Sequence, residues 1–383
     1  MNYELSREQA EFKKSFREFC DREISPYSAE IESSISLLRE NCRRLAQGGF
    51  FISLFPEKRR DRARSYQTSI LAWEELARAC PSTFLSCVLG TTLAAISVCR
   101  FGTAEQREQH LPPLAAGEKF GAFALTEPQA GSDLAGLRTS AVFDKDNYLL
   151  NGIKAFAVNG PLAEIAVVFA LTDPASPPDR KMSAFLVEKG APGFSAGLSL
   201  EKLGARGAPV SDLRFENCPV PPDGLLGVQG QGFQMARQMK EVGRLGYAAY
   251  SLGIAQACLE EAVQYARKRQ AFGRPIAHFQ EVSFKVADMQ MYVDTGRLLL
   301  YHAAWRLDEG LEAGTDIAIA KLFLSEAATW CASTAVQIHG GHGFLKGSSV
   351  ERLYRDAKLG EIGEGTSEMQ RRTIARSLLG EGY

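Results

Sequence analysis

Long hydrophobic runs are missing from this chain: no apolar stretch approaches the roughly 20 residues needed to cross a bilayer, so no membrane span is expected. Neither sign of charge prevails. With 44 basic against 45 acidic side chains and a net charge of -1, the composition argues against a generic nucleic-acid binder or a polycation drawn to membrane surfaces. The N-terminus, MNYELSREQAEFKK, lacks the apolar stretch after a basic start that marks a secretory signal, and it is too acidic for a transit peptide. The 8 cysteines (Cys20, Cys42, Cys80, Cys87, Cys99, Cys218, Cys258 and Cys331) include no CxxC pair, so a zinc site and a disulfide framework both lack support. They read as small buried hydrophobes, and the compartment as reducing and cytoplasmic.

What is present falls into segments. A chain of 383 residues exceeds one compact core, so two or three structural units are expected. Ten of the 16 prolines lie between residues 119 and 228, and only Pro275 lies later. The N-terminal segment, residues 1–118, opens on the capping-box pattern Ser6-Arg7-Glu8-Gln9, followed by Phe12, Phe16 and Phe19 at helical spacing. Further helical runs cover 72–79 and 85–100, and EKRRDRARS (57–65) reads as a solvated loop. In the middle segment, 119–228, short apolar runs at 148–153, 164–171, 182–188 and 211–215 are bounded by Gly, Pro, Asp and Asn. That texture predicts antiparallel strands in a small barrel or sandwich. The last segment, 229–383, returns to helical periodicity, with one stripe at Leu259, Ala262, Val263 and Ala266 and a long helix over 282–307.

Single motifs decide little. Gly227-Val228-Gln229-Gly230-Gln231-Gly232 opens no βαβ unit, which speaks against a Rossmann loop and for a flexible lead into the next helix. His339 and His342 have no third ligand type beside them, so no metal site is expected. Glu364, in Gly363-Glu364-Gly365, stands before the capping-box pattern of Ser367 and Gln370, which puts it at a helix N-terminus. By itself that position suits a solvated carboxylate.

Context changes the reading. FALTEPQAGSDLAGLRTSA (123–141) and QIHGGHGFLKGSSVERLYRDAKLGEIGEGTSEMQRRTIAR (337–376) together resemble the two signatures of the acyl-CoA dehydrogenase family. KAFAVNG (154–160), FLVEKGAPGF (185–194), GVQGQGF (227–233) and RKRQAFGRPIAHFQ (267–280) resemble further family segments, in the family's order. The resemblance covers nearly the whole chain and is weakest between residues 28 and 66. It implies an α+β fold: an N-terminal helical domain, a middle β-barrel or sandwich domain and a C-terminal four-helix bundle. It also implies FAD, an acyl-CoA substrate, electron-transferring flavoprotein as the electron acceptor, and a homo-oligomer, usually a tetramer.

Residue roles follow from the resemblance position by position. Glu364 matches the family's base, which takes the α-proton of an acyl thioester while a β-hydride leaves to give the trans-2-enoyl product; its backbone N–H and a flavin ribityl hydroxyl would meet the enolate oxygen. Some relatives carry the base just before the arginine that corresponds to Arg244; here that residue is Gly243, which cannot serve. Arg244 resembles the substrate-side arginine. Phe123, Leu125 and Thr126 would line the isoalloxazine, and Ser132 would be shared between flavin and pantetheine arm. Arg269, Phe272 and Gln280 match the segment that reaches FAD from a neighbouring subunit, and Gln337, Gly340, Gly341 and Thr366 would close on the adenosine end. Gly365 adjoins the base, and Gly90, Thr91, Thr92 and Leu93 would floor the acyl pocket.

Three departures carry expectations of their own. Phe156 and Val158 stand where the family commonly has tryptophan and threonine; valine cannot donate the threonine's hydrogen bond at flavin N5, which keeps oxygen open as an acceptor. Gly363 stands where many relatives have tyrosine, so space for a bulky, branched or cyclic acyl group is expected beside the base. The degraded stretch at 56–65 leaves room for an acyl- or aminoacyl-carrier-protein substrate instead of acyl-CoA. A non-catalytic flavoprotein binding a partner or DNA is the rival from another class; Glu364 and the near-zero charge argue against it.

Overall fold

A computed structural model describes residues 5–51 and 65–380. All of the solvated loop expected at 57–65 except Ser65 falls outside them. Helix α1 (Arg7–Glu23) starts as its sequence predicts: the Ser6 hydroxyl accepts from the Gln9 amide and the Gln9 side chain accepts from the Ser6 amide. Phe12, Phe16 and Phe19 stack along its inner face, with centroid separations of 5.9 Å. Helices α2 (Ile35–Gln47), α3 (Tyr66–Ala79), α4 (Pro81–Phe84), α5 (Leu93–Phe101) and α6 (Ala104–Ala115) complete the first segment.

Between α4 and α5 the helix continues through a π-turn, Leu85–Thr92. The joined stretch Pro81–Phe101 is 21 residues long, long and apolar enough to cross a membrane, and all of it except Arg100 and Phe101 is buried in the protein. It is a core helix. The expectation that no stretch approaches that length is corrected: serines, threonines and a glycine break the run in sequence, yet they are small enough to pack inside.

The middle segment carries strands β1 (Gly121–Ala124), β2 (Ser140–Asp144), β3 (Asn147–Val158), β4 (Ile165–Leu171), β5 (Met182–Glu188), β6 (Phe194–Ala196), β7 (Val210–Val220) and β8 (Leu225–Leu226). They form one sheet in the order β6-β7-β3-β2-β4-β5-β8, with β1 added beside β4. The wholly antiparallel arrangement expected is corrected here, since β4 runs parallel to both β1 and β2. Alternation within a strand reports which face is buried but not the direction of its neighbour.

The last segment contains α7 (Gly232–Lys268), α8 (Gln280–Asp308), α9 (Gly314–His339), α10 (Ser349–Ala357) and α11 (Ser367–Leu379), with a two-stranded ribbon β9 (Gln270–Ala271) and β10 (Arg274–Pro275) after α7. All 8 cysteines are buried. Helix α7 is lined inwardly by small residues, among them Gly243, Gly246, Ala248 and Ala249. Small residues let neighbouring elements approach its backbone, and one of those neighbours is the segment that carries Glu364.

Candidate active site

Lys240, Gly243, Arg244 and Tyr247 stand at i, i+3, i+4 and i+7 on α7 and so share one face. The segment between α10 and α11 lies across that face. A Cβ at Gly243 would sit 2.7 Å from Glu364 Cδ and 2.8 Å from its Cγ, so the carboxyl rests directly on the bare helix backbone. Arg244 Nε donates to the Glu364 carbonyl at 3.3 Å. The Tyr247 ring packs against Gly363 so closely that a Cβ there would overlap its outer ring carbons and hydroxyl.

Glu364 has φ 50° and Gly365 φ 96°, two successive left-handed residues. For glutamate this conformation costs on the order of 1–2 kcal/mol. Hydrogen bonds to the loop's carbonyls hold it: Lys321 Nζ reaches the Gly365 carbonyl at 2.7 Å, and Gln370 Nε2 reaches the same oxygen at 2.8 Å and that of Glu364 at 3.3 Å. The helix beyond is capped by Thr366, whose hydroxyl accepts from the Met369 amide. This corrects the box expected from Ser367 and Gln370: Ser367 is already helical, and the Gln370 side chain is committed to the base loop.

Burial raises the Glu364 pKa above the ordinary carboxylate value, against the opposing charges of Lys240, Arg244 and Lys321. Burial lowers the Lys240 pKa, partly offset by Glu364. Lys321, pushed down to about 8, owes its shift to burial first and to the charge of Arg244 second. The carboxylate thus sits among three cations yet is held above its usual range by loss of water.

Facing the base is a wall from the β segment. Phe123 lies in β1 and Leu125 follows it, Thr126 and Ser132 belong to the loop beyond, and Ala155, Phe156 and Val158 come from β3. A register shift between Lys154 and Ala157 and φ 56° at Phe156 turn that side chain outward. A buried ion pair pins the loop. Lys154 Nζ lies 2.7 Å from Glu127 Oε1, with side chains 0% and 2% exposed, and Glu127 also accepts from the amides of Arg138 at 2.7 Å and Thr139 at 3.0 Å. Burial alone would raise the Glu127 pKa; the Lys154 charge and these hydrogen bonds bring it down to about 2.

The floor comes from Leu85 and Leu89 of the π-turn and Leu93 at the start of α5. Thr91, expected to contact substrate, instead faces away from the cavity: its hydroxyl accepts from the Gly121 amide and from Asn159 Nδ2, each at 3.3 Å. Asn159, fully buried with φ 65°, also donates to the carbonyls of Ser86 at 2.9 Å and Gly121 at 3.0 Å. It locks the π-turn to β1, and a Cβ at Gly90 would overlap its side-chain amide. The extra residue of a π-turn rotates the following side chains, which is why positions 90 and 91 face the sheet.

These walls enclose a cavity of about 490 Å³ at the meeting of all three segments. It gathers Phe123, Leu125, Thr126, Ser132, Phe156, Val158, Arg244, Gly363, Glu364, Gly365 and Thr366. Arg269, Phe272, Gln280, Gln337, Gly340 and Gly341 are not among its lining. Arg269 instead borders a second depression, of about 360 Å³, with Tyr265, His339 and His342. Gly363 does line the cavity, but the space expected beside it is taken: the ring absent at 363 is supplied from α7 by Tyr247. The basis for expecting a bulky acyl group is thereby removed.

Three family models match the chain in order: the acyl-CoA dehydrogenase N-terminal domain over residues 6–118, the middle domain over 122–218 and the C-terminal domain over 230–379. The chain belongs to the acyl-CoA dehydrogenase family. An acyl-CoA dehydrogenase of Bacillus subtilis is 42% identical over 376 residues, 98% of this chain and 99% of that protein. The solved butyryl-CoA dehydrogenase of Megasphaera elsdenii superposes with TM-score 0.91 at 38% identity, covering 99% and 100% of the two chains. A prolyl acyl carrier protein oxidase superposes with TM-score 0.89 at 31% identity, covering 98% and 100%. The chain is an oxidoreductase, and members of the family are FAD flavoproteins. Its cavity fits that group: Thr126 and Ser132 line it, with hydroxyls that hydrogen-bond to no side chain or backbone group among the described residues, beside the apolar side chains of Phe123, Leu125 and Val158.

Sequence reasoning passed over Lys240, Tyr247, Lys321 and the Glu127–Lys154 pair. Lys321 had one visible signal, a lone lysine in the apolar run AIAKLFLSEAA of α9. Tyr247 and Lys240 had theirs in the helical spacing from Arg244.

Proposed function

We propose that this chain dehydrogenates an acyl thioester between Cα and Cβ, with Glu364 as the base that takes the α-proton. The observation that carries the reading is the Glu364 carboxyl itself, set on bare backbone at Gly243, opening into a cavity walled opposite by Phe123 to Thr126. FAD, when bound there, supplies the hydride acceptor. Thr126 and Ser132 would hold it, with Phe156, Val158 and Thr366 around it. Glu364 receives the proton on a carboxylate already short of water, and thioester binding removes more, strengthening it as a base. The Glu364 backbone N–H has no acceptor among the described residues, so it is free to donate to the thioester oxygen as negative charge develops there. Arg244, through the Glu364 carbonyl, holds that amide in place.

Arg269, Phe272, Gln280, Gln337, Gly340 and Gly341 serve a neighbouring copy in an oligomer, proposed to be a tetramer. Their absence from the cavity lining and the 94% exposure of Phe272 support this. The electron acceptor is electron-transferring flavoprotein or oxygen, and Val158, which lines the cavity without a hydroxyl, favours testing oxygen first. A carrier-protein thioester is the second reading, favoured by the likeness to the prolyl carrier protein oxidase.

The test is turnover of a thioester panel, on CoA and on a phosphopantetheinyl carrier protein, with ferrocenium as acceptor and peroxide measured in air. Glu364→Gln should keep its yellow flavin and lose at least about a thousandfold in kcat, as removal of a positioned base does. Substantial residual activity in that variant would sink the assignment.

A further inference from the structure

We infer that Tyr247 sets the substrate's shape at Cα, admitting thioesters with an unbranched α-methylene and excluding those with an α-substituent. The inference rests on the thioester reading above. Gly363 precedes the base, and its φ lies outside the left-handed region, so backbone conformation does not bar a side chain there. The Tyr247 ring does: a Cβ at 363 would overlap that ring and its hydroxyl. The two positions therefore share one volume, filled from α7.

The ring is braced. Tyr247 is 7% exposed and meets Tyr250 edge-on at 6.0 Å, and Tyr250 is in turn backed by Phe84 at 5.5 Å. The Tyr250 hydroxyl is tied to the Asp356 carbonyl at 2.9 Å, so the stack cannot swing back to make room. Burial, with the nearby Glu364 charge second, raises the Tyr247 pKa, so the phenol stays neutral and does not compete for the proton. On the floor side, Gly246 lets Leu89 approach, where a Cβ would sit 2.8 Å from Leu89 Cδ2. A carbon held against Glu364 for proton removal is thus flanked by ring on one side and leucine below. A group added to that carbon meets one or the other.

The experiment exchanges the two volumes. Butyryl-CoA and hexanoyl-CoA are compared with their 2-methyl analogues in the flavin-loaded wild type, Tyr247→Val, Gly363→Ala and the double variant. The wild type should prefer the unbranched thioesters by about tenfold or more in kcat/KM, the range one methyl group gives in a filled pocket. Tyr247→Val should raise the 2-methyl to unbranched ratio by at least about tenfold. Gly363→Ala, forced against the ring, should lose Tm by several degrees as overpacking does, and Tyr247→Val in the same chain should restore it. A wild type that takes 2-methyl thioesters equally well, or a ratio unmoved by Tyr247→Val, overturns the inference. Additive Tm effects of the two substitutions overturn the shared volume. Absence of any thioester turnover by the flavin-loaded wild type overturns the proposed reaction, and the Tm comparison then still judges the packing.

Discussion

Gly243→Ala should separate activity from stability. Its Cβ would sit 2.7 Å from Glu364 Cδ and 3.1 Å from Oε1. Carbon contacts relax to about 3.5 Å or more, so the carboxyl must move by about 0.8 Å. The Gly365 carbonyl, clamped by Lys321 and Gln370, stays put, and the end of the glutamate side chain absorbs the shift. Moving a flexible side-chain end is cheap in folding terms, while alanine in a helix interior is favoured over glycine by about 1 kcal/mol. Tm should therefore hold or rise by a few degrees. Catalysis responds differently. A reacting group misplaced by about 1 Å costs roughly a hundredfold, which is about 2.7 kcal/mol of barrier. The assay is thioester-dependent ferrocenium reduction at saturation, alongside thermal melts and the flavin spectrum. A folded, yellow alanine variant with wild-type kcat would refute both the placement of the carboxyl and its role.

Other expectations concern charge. Lys240→Met removes the foremost cation opposing the raised pKa of Glu364, so the rising limb of the kcat/KM profile should move to higher pH; an unmoved limb would show that Lys240 does not face the base. Lys321→Met frees the Gly365 carbonyl as well as a charge, and should lower kcat by roughly ten- to a hundredfold while shifting the same limb upward. Lys154→Met leaves the Glu127 carboxylate buried without its counter-charge and should cost about 3–5 kcal/mol in urea unfolding; a loss under 1 kcal/mol would count against the pair as an anchor. Because the folded pKa of Glu127, about 2, lies below its ordinary 4.5, its contribution is complete above pH 4.5 and fades as pH falls toward 2. That contribution is about 3 kcal/mol, and Glu127→Gln should lose the corresponding acid dependence.

Local patterns in the chain were enough to determine the order of helical, strand and helical segments, because capping residues, period and turn residues act over a few positions. The Ser6 cap, the strand at 182–188 and the long helix α8 are examples. The ordered segments carrying Thr126 and Glu364 were likewise enough to bring the family and its flavin into view. Tertiary structure alone decided what touches what. Strand direction at β4 depends on its neighbours, and the π-turn rotated Thr91 from the cavity to Asn159. Glycine at 363 looked like space in the sequence, since a missing side chain is a local fact. Whether that space stays empty depends on a residue 116 positions earlier, where the Tyr247 ring points off α7 into it. Volume is shared between elements that meet only when the chain folds, so it can be assigned only there.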